Sequence, residues 1–162
     1  MNVIKKNTDT SESNGFFLNR RKKIWIPVVT KIFGFLKGVL DPEFPFCLFS
    51  LDIISVEKIG LKNFYHSQSY KISIFFCPTS LTCSLTPIIG LSIGNIIYHQ
   101  CFNYWIRKST PINWIGLFLI DIPTFFHLKR EEIVKQLNDK ERVSAALENP
   151  EIRMAILGCY TS

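Results

Sequence analysis

Tyr70-Lys71-Ile72-Ser73-Ile74-Phe75-Phe76 is followed by Cys77-Pro78-Thr79 and, past Cys83, by Ser84-Leu85-Thr86-Pro87-Ile88-Ile89-Gly90-Leu91. The first segment sets Ile72, Ile74 and Phe76 against Lys71 and Ser73, the period of a half-buried strand. Cys77-Pro78-Thr79 supplies the turn that closes it. The segment after Cys83 reads as the opening turns of a buried helix that runs to about Asn103. Cys83 therefore stands at the break between a strand and a helix. A thiol near a helix N-terminus faces unpaired backbone N–H groups and the positive end of the macrodipole, both of which favour thiolate. The same place suits a small hydrophobe packed in a core, and position alone does not choose between the two.

Outward from this stretch, residues 1–23 lack periodicity and read as a disordered basic tail, leaving 24–162 as one domain. Pro27 can open a first helix, in which Ile32, Phe33, Leu36, Val39 and Leu40 recur at helical spacing up to Asp41-Pro42. Pro42 and Pro45 end it. Leu51–Val56 reads as a first strand, Gly60–Ser69 as a loop, and Trp114–Asp121 as a strand covered on both faces, with Gly116 marking a bulge. Leu128–Leu137 is helical. Asn138 or Asp139 caps a second helix, Lys140–Glu148, whose Val143, Ala146 and Leu147 face inward. Asn149-Pro150-Glu151 opens a third helix that ends at Gly158. The pattern is a small α+β domain: a three-stranded sheet, flanking helices and a helical C-terminal tail.

Composition bounds the function. With 162 residues, 47% hydrophobic and 20% charged, the chain has material for one domain with a real core. The net charge of +6 owes much to Arg20-Arg21-Lys22-Lys23. Such a run is a solvated tail, or it meets an acidic partner, nucleic acid or an importer. No basic residues interleave with aromatics on a repeating element, so direct nucleic-acid binding is not expected. The five cysteines, Cys47, Cys77, Cys83, Cys101 and Cys159, contain no C-x-x-C pair and no zinc-finger spacing. A reducing compartment follows, and neither a disulfide framework nor a structural zinc site does. The first residues lack the apolar core of a secretory signal.

No charged residue lies between Lys71 and Arg107, and the second half of that span is long enough to cross a bilayer. Ser92, Asn95, His99 and Asn103, however, share one helical face, opposite Leu85, Ile89, Ile93 and Ile97. A two-faced helix on a core explains that stripe better than a lipid-facing span. A membrane protein using Leu85–Ile106, and with it Trp114–Phe126, remains an alternative.

Three motifs stand in order: Asp41-Pro42-Glu43-Phe44-Pro45; Phe76-x-Pro78-Thr79-x-x-x-Cys83-Ser84-Leu85-x-x-x-Ile89-Gly90-Leu91; and the unbroken run from Lys135 to Asn149. Together they resemble the eukaryotic branch of the PaaD-like, MIP-type domain family, over about Thr30–Cys101 and again His127–Cys159. The resemblance implies a non-enzymatic adaptor, the targeting subunit of the cytosolic iron–sulfur protein assembly machinery. Its partners would be a WD-repeat propeller protein, a HEAT-repeat scaffold and client apoproteins, many of them enzymes of DNA replication and repair. Self-association as a homodimer is a further implication. No cofactor would be firmly bound; an iron–sulfur cluster would pass through as cargo. The location implied is the cytoplasm, and also the nucleus.

The family's reactive motif cysteine falls on Cys83, and Cys159 matches a cysteine near the family's C-terminus, where a burial role competes with a functional one. Partner contacts are expected from Asp41, Pro42 and Glu43, which as an acid pair flanking a proline in a turn make no general acid–base couple, and from Asp139, Lys140, Glu141 and Arg142. The chain also departs from the pattern. Thr82 stands where the residue before the cysteine is usually His, which leaves the thiol without a neighbouring imidazolium. Phe125-Phe126-His127 replaces a Gly-Thr-His segment, Phe49 stands where an acid is common, and the stretch from Cys101 to His127 is about ten residues longer than the family pattern. Cys47, Cys77 and Cys101 read as packing residues. His127 reads as orienting a turn or helping to bind metal. A rival reading, a cysteine-dependent thiol enzyme, needs a base beside Cys83, and the sequence places neither His99 nor His127 there.

Overall fold

The computed structural model describes residues 28–64, 69–107 and 117–160. The basic tail of residues 1–23, Pro27, the Trp114–Gly116 part of the third strand expectation and the side chains of Cys101 and Asn103 lie outside what is described.

Strand β2, Ser69–Phe75, is the centre of a three-stranded sheet ordered β1-β2-β3. Strand β1, Ile59–Phe64, pairs with it antiparallel, Ile59 opposite Ile74. Strand β3, Leu117–Asp121, pairs with it parallel, Ile72 opposite Phe118. A parallel neighbour requires a crossover, and the 22-residue helix α2, Thr86–Arg107, supplies it. Helix α1, residues 28–36, precedes the sheet. Three short helices follow it: α3, Arg130–Leu137; α4, Lys140–Glu148; and α5, Pro150–Gly158. The α+β architecture with a helical C-terminal tail is the one expected.

One core joins these elements. Ile72, Ile74 and Phe76 are fully buried, as the alternation in β2 requires, and α2 meets them with Ile89, Ile93 and Ile97. Val29, Ile32, Phe33 and Leu36 of α1 enter the same cluster. Each Ile or Phe taken out of water contributes about 1.5–3 kcal/mol, so this stripe holds α2 against the sheet despite its glycines. Those glycines are spacers: a Cβ on Gly90 would lie 2.3 Å from Leu137 of α3, and one on Gly94 would lie 2.9 Å from Ile120 of β3.

Three local expectations are corrected. Leu51–Val56 is not a strand. The segment folds into successive turns in which Ile53 and Ile54, neighbours in sequence, are both buried, and two adjacent buried side chains are incompatible with a one-faced strand. The first strand lies instead in what reads as a loop, because β2 supplies the partner that Gly60, Lys62 and Asn63 do not advertise. Helix α1 stops at residue 36. Val39 and Leu40, read as its continuation, form isolated bridges to Tyr160 and Cys47. The polar stripe of α2 is divided: Ser92 is fully buried, its Oγ without a hydrogen-bond partner, Asn95 donates to the Tyr160 hydroxyl at 3.0 Å, and His99 is exposed.

The caps are where the sequence places them. Asp139 Oδ1 accepts from the backbone N–H groups of Glu141 and Arg142, and Asn149 Oδ1 accepts from those of Glu151 and Ile152. Asn138 does something the sequence does not disclose. Its amide Oδ1 accepts from Ile120 N at 3.0 Å while its Nδ2 donates to Ile120 O at 2.7 Å. One side chain thus satisfies both backbone groups at the outer edge of β3, as a neighbouring strand would. Asn138→Ala should lower the unfolding free energy by about 1 kcal/mol, since two hydrogen bonds are exchanged for water. Urea unfolding at unchanged slope reads that loss, and an unchanged midpoint would show that helix packing alone holds the edge.

Candidate functional site

Cys83 is half-buried, in the loop that joins β2 to α2. Its own N–H donates to Ser80 O at 3.3 Å. Its carbonyl oxygen is met by three donors: Thr86 Oγ1 at 2.9 Å, Thr86 N at 3.4 Å and the ring of His127 through Nε2 at 3.1 Å. His127 comes from the loop between β3 and α3, 44 residues later in the chain. Next to it, Leu128 N donates to Leu81 O at 3.0 Å, so the two loops are stitched together twice.

The tautomer of His127 follows from its partners. Lys129 N–H donates to Nδ1 at 3.0 Å, so Nδ1 is the acceptor and Nε2 carries the proton that bonds to the Cys83 carbonyl. His127 is therefore beside Cys83, contrary to the expectation from sequence, but it engages the backbone and has no lone pair left for the thiol. His99 is exposed on α2, its ring edge-on to Tyr98. Among the described residues, neither His99 nor His127 is placed as the base that a thiol enzyme needs.

The loop that carries His127 begins at a charged knot. Arg130 donates through Nη2 to Asp121 Oδ1 at 2.8 Å and through Nε to the Ile122 carbonyl, while Asp121 Oδ1 also accepts from Ile122 N at 2.7 Å. Between these points Phe125 takes a φ of 73°, the left-handed region that a non-glycine residue occupies at a cost of about 1–2 kcal/mol. Its side chain is 89% exposed, and Leu81, Phe126 and Leu128 are also exposed in these two loops.

The remaining candidates divide into two groups. Asp41 is buried and makes an Asx turn, Oδ1 accepting from Glu43 N at 2.8 Å and Phe44 N at 3.0 Å. Pro42 is half-buried and Glu43 exposed, so this segment is a rigid turn with an outward acid. Cys159 lies on the same side, its carbonyl accepting from Leu40 N and its thiol donating to Ala155 O at 3.2 Å. It is 1% exposed, and burial first, with the Asp41 carboxylate adding to it, pushes the thiol above its ordinary 9.0. The structure places it in the core. Cys47 differs: its half-buried thiol meets Ser50 Oγ at 2.9 Å, and the Ser50 hydrogen bond holds it below the ordinary range.

The second group is the α4 N-terminus. Asp139 pairs with Arg142 at 3.4 Å, Lys140 and Glu141 are exposed, and Arg142 stands at a groove of about 350 Å³ against Pro87 and Leu91 of α2. Pro87 and Leu91 belong to the first turns of the helix that Cys83 precedes, so these charges border the Cys83 side of the molecule. Phe49, where an acid is common in the resembled pattern, packs edge-on against Phe33 at 5.2 Å with the Lys37 amine 5.7 Å above its ring.

No family model matches the chain. Curated proteins do. It is 33% identical over 143 residues to MIP18 family protein FAM96A of Dictyostelium discoideum, covering 79% of this chain and 88% of that protein. The chain belongs to the MIP18 family. It is also 33% identical over 131 residues to cytosolic iron-sulfur assembly component 2B of the same organism, 78% of this chain and 69% of that protein. It is 35% identical over 128 residues to MIP18 family protein galla-1 of Drosophila melanogaster, 79% of this chain, and spans about half (54%) of galla-1's length. Among the described residues no helix is long and apolar enough to cross a membrane, and Leu85–Ile106, the span a membrane reading would use, lies along helix α2, whose Ile89, Ile93 and Ile97 are buried in the core.

The φ of Phe125 bears on stability. The residue falls where the resembled pattern has glycine, and its left-handed φ is the conformation that glycine adopts freely. Phe125 holds that conformation with a Cβ, and so carries the strain. Phe125→Gly should therefore raise stability by about 0.5–1 kcal/mol, the relief being partly offset by the freer unfolded chain. Thermal unfolding reads it; a lower midpoint would mean that the exposed ring packs more than its exposure indicates.

The buried Cys159 gives a pH prediction. A thiol with a raised folded-state pKa keeps its stabilising contribution below the unfolded value and loses it as pH rises through the folded one. Unfolding free energy should fall as pH climbs past about 9, and Cys159→Ala should flatten part of that slope. An identical slope in the variant would contradict this. Tyr160, also raised by burial, contributes in the same direction from its ordinary 10.0.

Proposed function

We propose that this chain is an adaptor of the cytosolic iron–sulfur protein assembly machinery, working through protein contacts and one presented thiol, Cys83, to help deliver clusters to client apoproteins. The observation that carries the reading is the Cys83 loop in a MIP18 family chain. The family's motif cysteine falls on a half-buried residue whose backbone is fixed by Thr86 and His127 at the start of a helix rooted in the core. A relative whose name is cytosolic iron-sulfur assembly component 2B supports both the process and a cytosolic location. A non-enzymatic role is part of this proposal, and it is supported by the neighbouring imidazole, which spends both nitrogens on the backbone and not on the sulfur.

Clusters are held by several thiolate ligands. Among the described residues no three His, Cys, Asp or Glu side chains converge. In this proposal Cys83 is one ligand among several for a passing cluster, with the others coming from the assembly or the client. The expected partners are a WD-repeat propeller protein and a HEAT-repeat scaffold. The Asp41–Glu43 turn and the Asp139–Arg142 helix start are the contact surfaces proposed for them, since both present charge on rigid, capped backbone.

Cys83→Ser should fold with an unchanged circular dichroism spectrum and unfolding midpoint, and should fail to support cluster insertion when it is the cell's only copy. Activity of a cytosolic iron–sulfur client reads the outcome. Normal client activity with the Ser variant would remove the thiol from the mechanism.

A further inference from the structure

We infer that His127 is a positioning residue for Cys83: a neutral, tautomer-locked clamp that fixes the direction in which the thiol is presented. The inference rests on the reading of Cys83 as the delivery thiol and adds to it the group that holds the thiol in place.

The argument starts from the Cys83 carbonyl. A single hydrogen bond leaves a peptide plane free to rock, whereas donors from two separate directions fix it. Thr86 approaches from within the same helix start, through its hydroxyl and its N–H. His127 approaches from a different element altogether, the β3–α3 loop. The 83–84 peptide is held through its carbonyl, and the 82–83 peptide is held through Cys83 N–H, which donates to Ser80 O at 3.3 Å. With the peptides on both sides of Cys83 held, its Cα–Cβ bond has one direction and χ1 remains to aim the sulfur. Preorganisation of this kind lowers the entropic cost of meeting a partner's ligand geometry.

The clamp is itself held. His127 is only 9% exposed, Nδ1 is occupied by Lys129 N–H, and the neighbouring Leu128–Leu81 bond fixes the distance between the loops. At the far end the loop is tied to β3 by Arg130 through Asp121 and Ile122. The imidazole thus transmits the position of the sheet's third strand to Cys83, three residues before α2. Where Thr82 stands in place of the more usual His, the chain has no imidazole adjacent in sequence to Cys83, and His127 is the one that structure brings to it.

Hydrogen exchange and client maturation test this together, using full-length wild type, His127→Ala and His127→Gln. The Gln side-chain amide can place an N–H near the position of Nε2, so it restores the donor without a ring. In His127→Ala, amides of peptides spanning 80–86 and 122–130 should exchange at least about threefold faster, the loss of one hydrogen bond, while β2 and α4 stay unchanged. In the Gln variant the 80–86 peptide should return toward wild type, and client activity should be lost in the Ala variant and recovered in the Gln variant. Nitrogen NMR of the wild-type imidazole should show an unprotonated Nδ1 and a protonated Nε2. Exchange at 80–86 unchanged by His127→Ala, or the opposite tautomer, overturns the clamp. Local loosening with full client activity overturns the positioning role. A failure of the delivery reading is seen separately, as full activity of the Cys83→Ser variant with the clamp signature intact.

Discussion

The burial of Ile89, Ile93 and Ile97 in the core that holds Ile72, Ile74 and Phe76 is the constraint on which the rest of the molecule depends. It makes α2 the crossover between two parallel strands, and so fixes where the helix starts. The loop before that start has little freedom: Cys77 N is bonded to Ile53 O at one end and Thr86 to Cys83 O at the other. Cys83 is presented because a helix that must lie on the sheet begins three residues after it. The close approaches at Gly90 and Gly94 belong to the same requirement, since a Cβ there would displace the side chains of Leu137 and Ile120 that pack on α2.

From that core two sets of ties spread to the surface. On one side, β3 is closed by the Asn138 amide and continued through the Arg130–Asp121 pair into the loop that carries His127. On the other, Tyr160 bonds Ser92 O through its hydroxyl and bridges Val39, while Leu40 N bonds Cys159 O. The chain's last described residues therefore lock α1's exit turn, including the Asx turn at Asp41, to the middle of α2. The two cysteines that the family pattern picks out fall on opposite sides of this arrangement. Cys83 is at an accessible loop, and Cys159 is sealed in the core with its thiol shifted toward the neutral form.

How far the sequence discloses this depends on whether the signal is local. Strand β2, helix α2, the Asp139 and Asn149 caps and Pro150 at a helix start were all legible, because alternation, helical spacing and capping chemistry act within a few residues. Strand β1 was not, since Gly60, Lys62 and Asn63 become a strand only through pairing with β2. Ile53 and Ile54 misled for the complementary reason: they are apolar because a turn is buried there. Gly158 reads as a stop signal and is the last helical residue, though no described glycine uses a left-handed φ; that conformation falls instead on Asp52 and Phe125. The pairing of His127 with Cys83 spans 44 residues and has no local signature. The one pointer to it was that His127 survives in a segment whose other two family residues are replaced.

The central claim is that this MIP18 family chain serves cytosolic iron–sulfur delivery, with its fold acting as a mount for one thiol. The most direct measurement follows radioactive iron into a cytosolic or nuclear iron–sulfur protein in cells depleted of the chain and then resupplied with it. Incorporation into that client should fall on depletion and return on resupply, while a mitochondrial iron–sulfur protein in the same cells keeps its iron. Undiminished incorporation into cytosolic and nuclear clients throughout depletion would contradict the account.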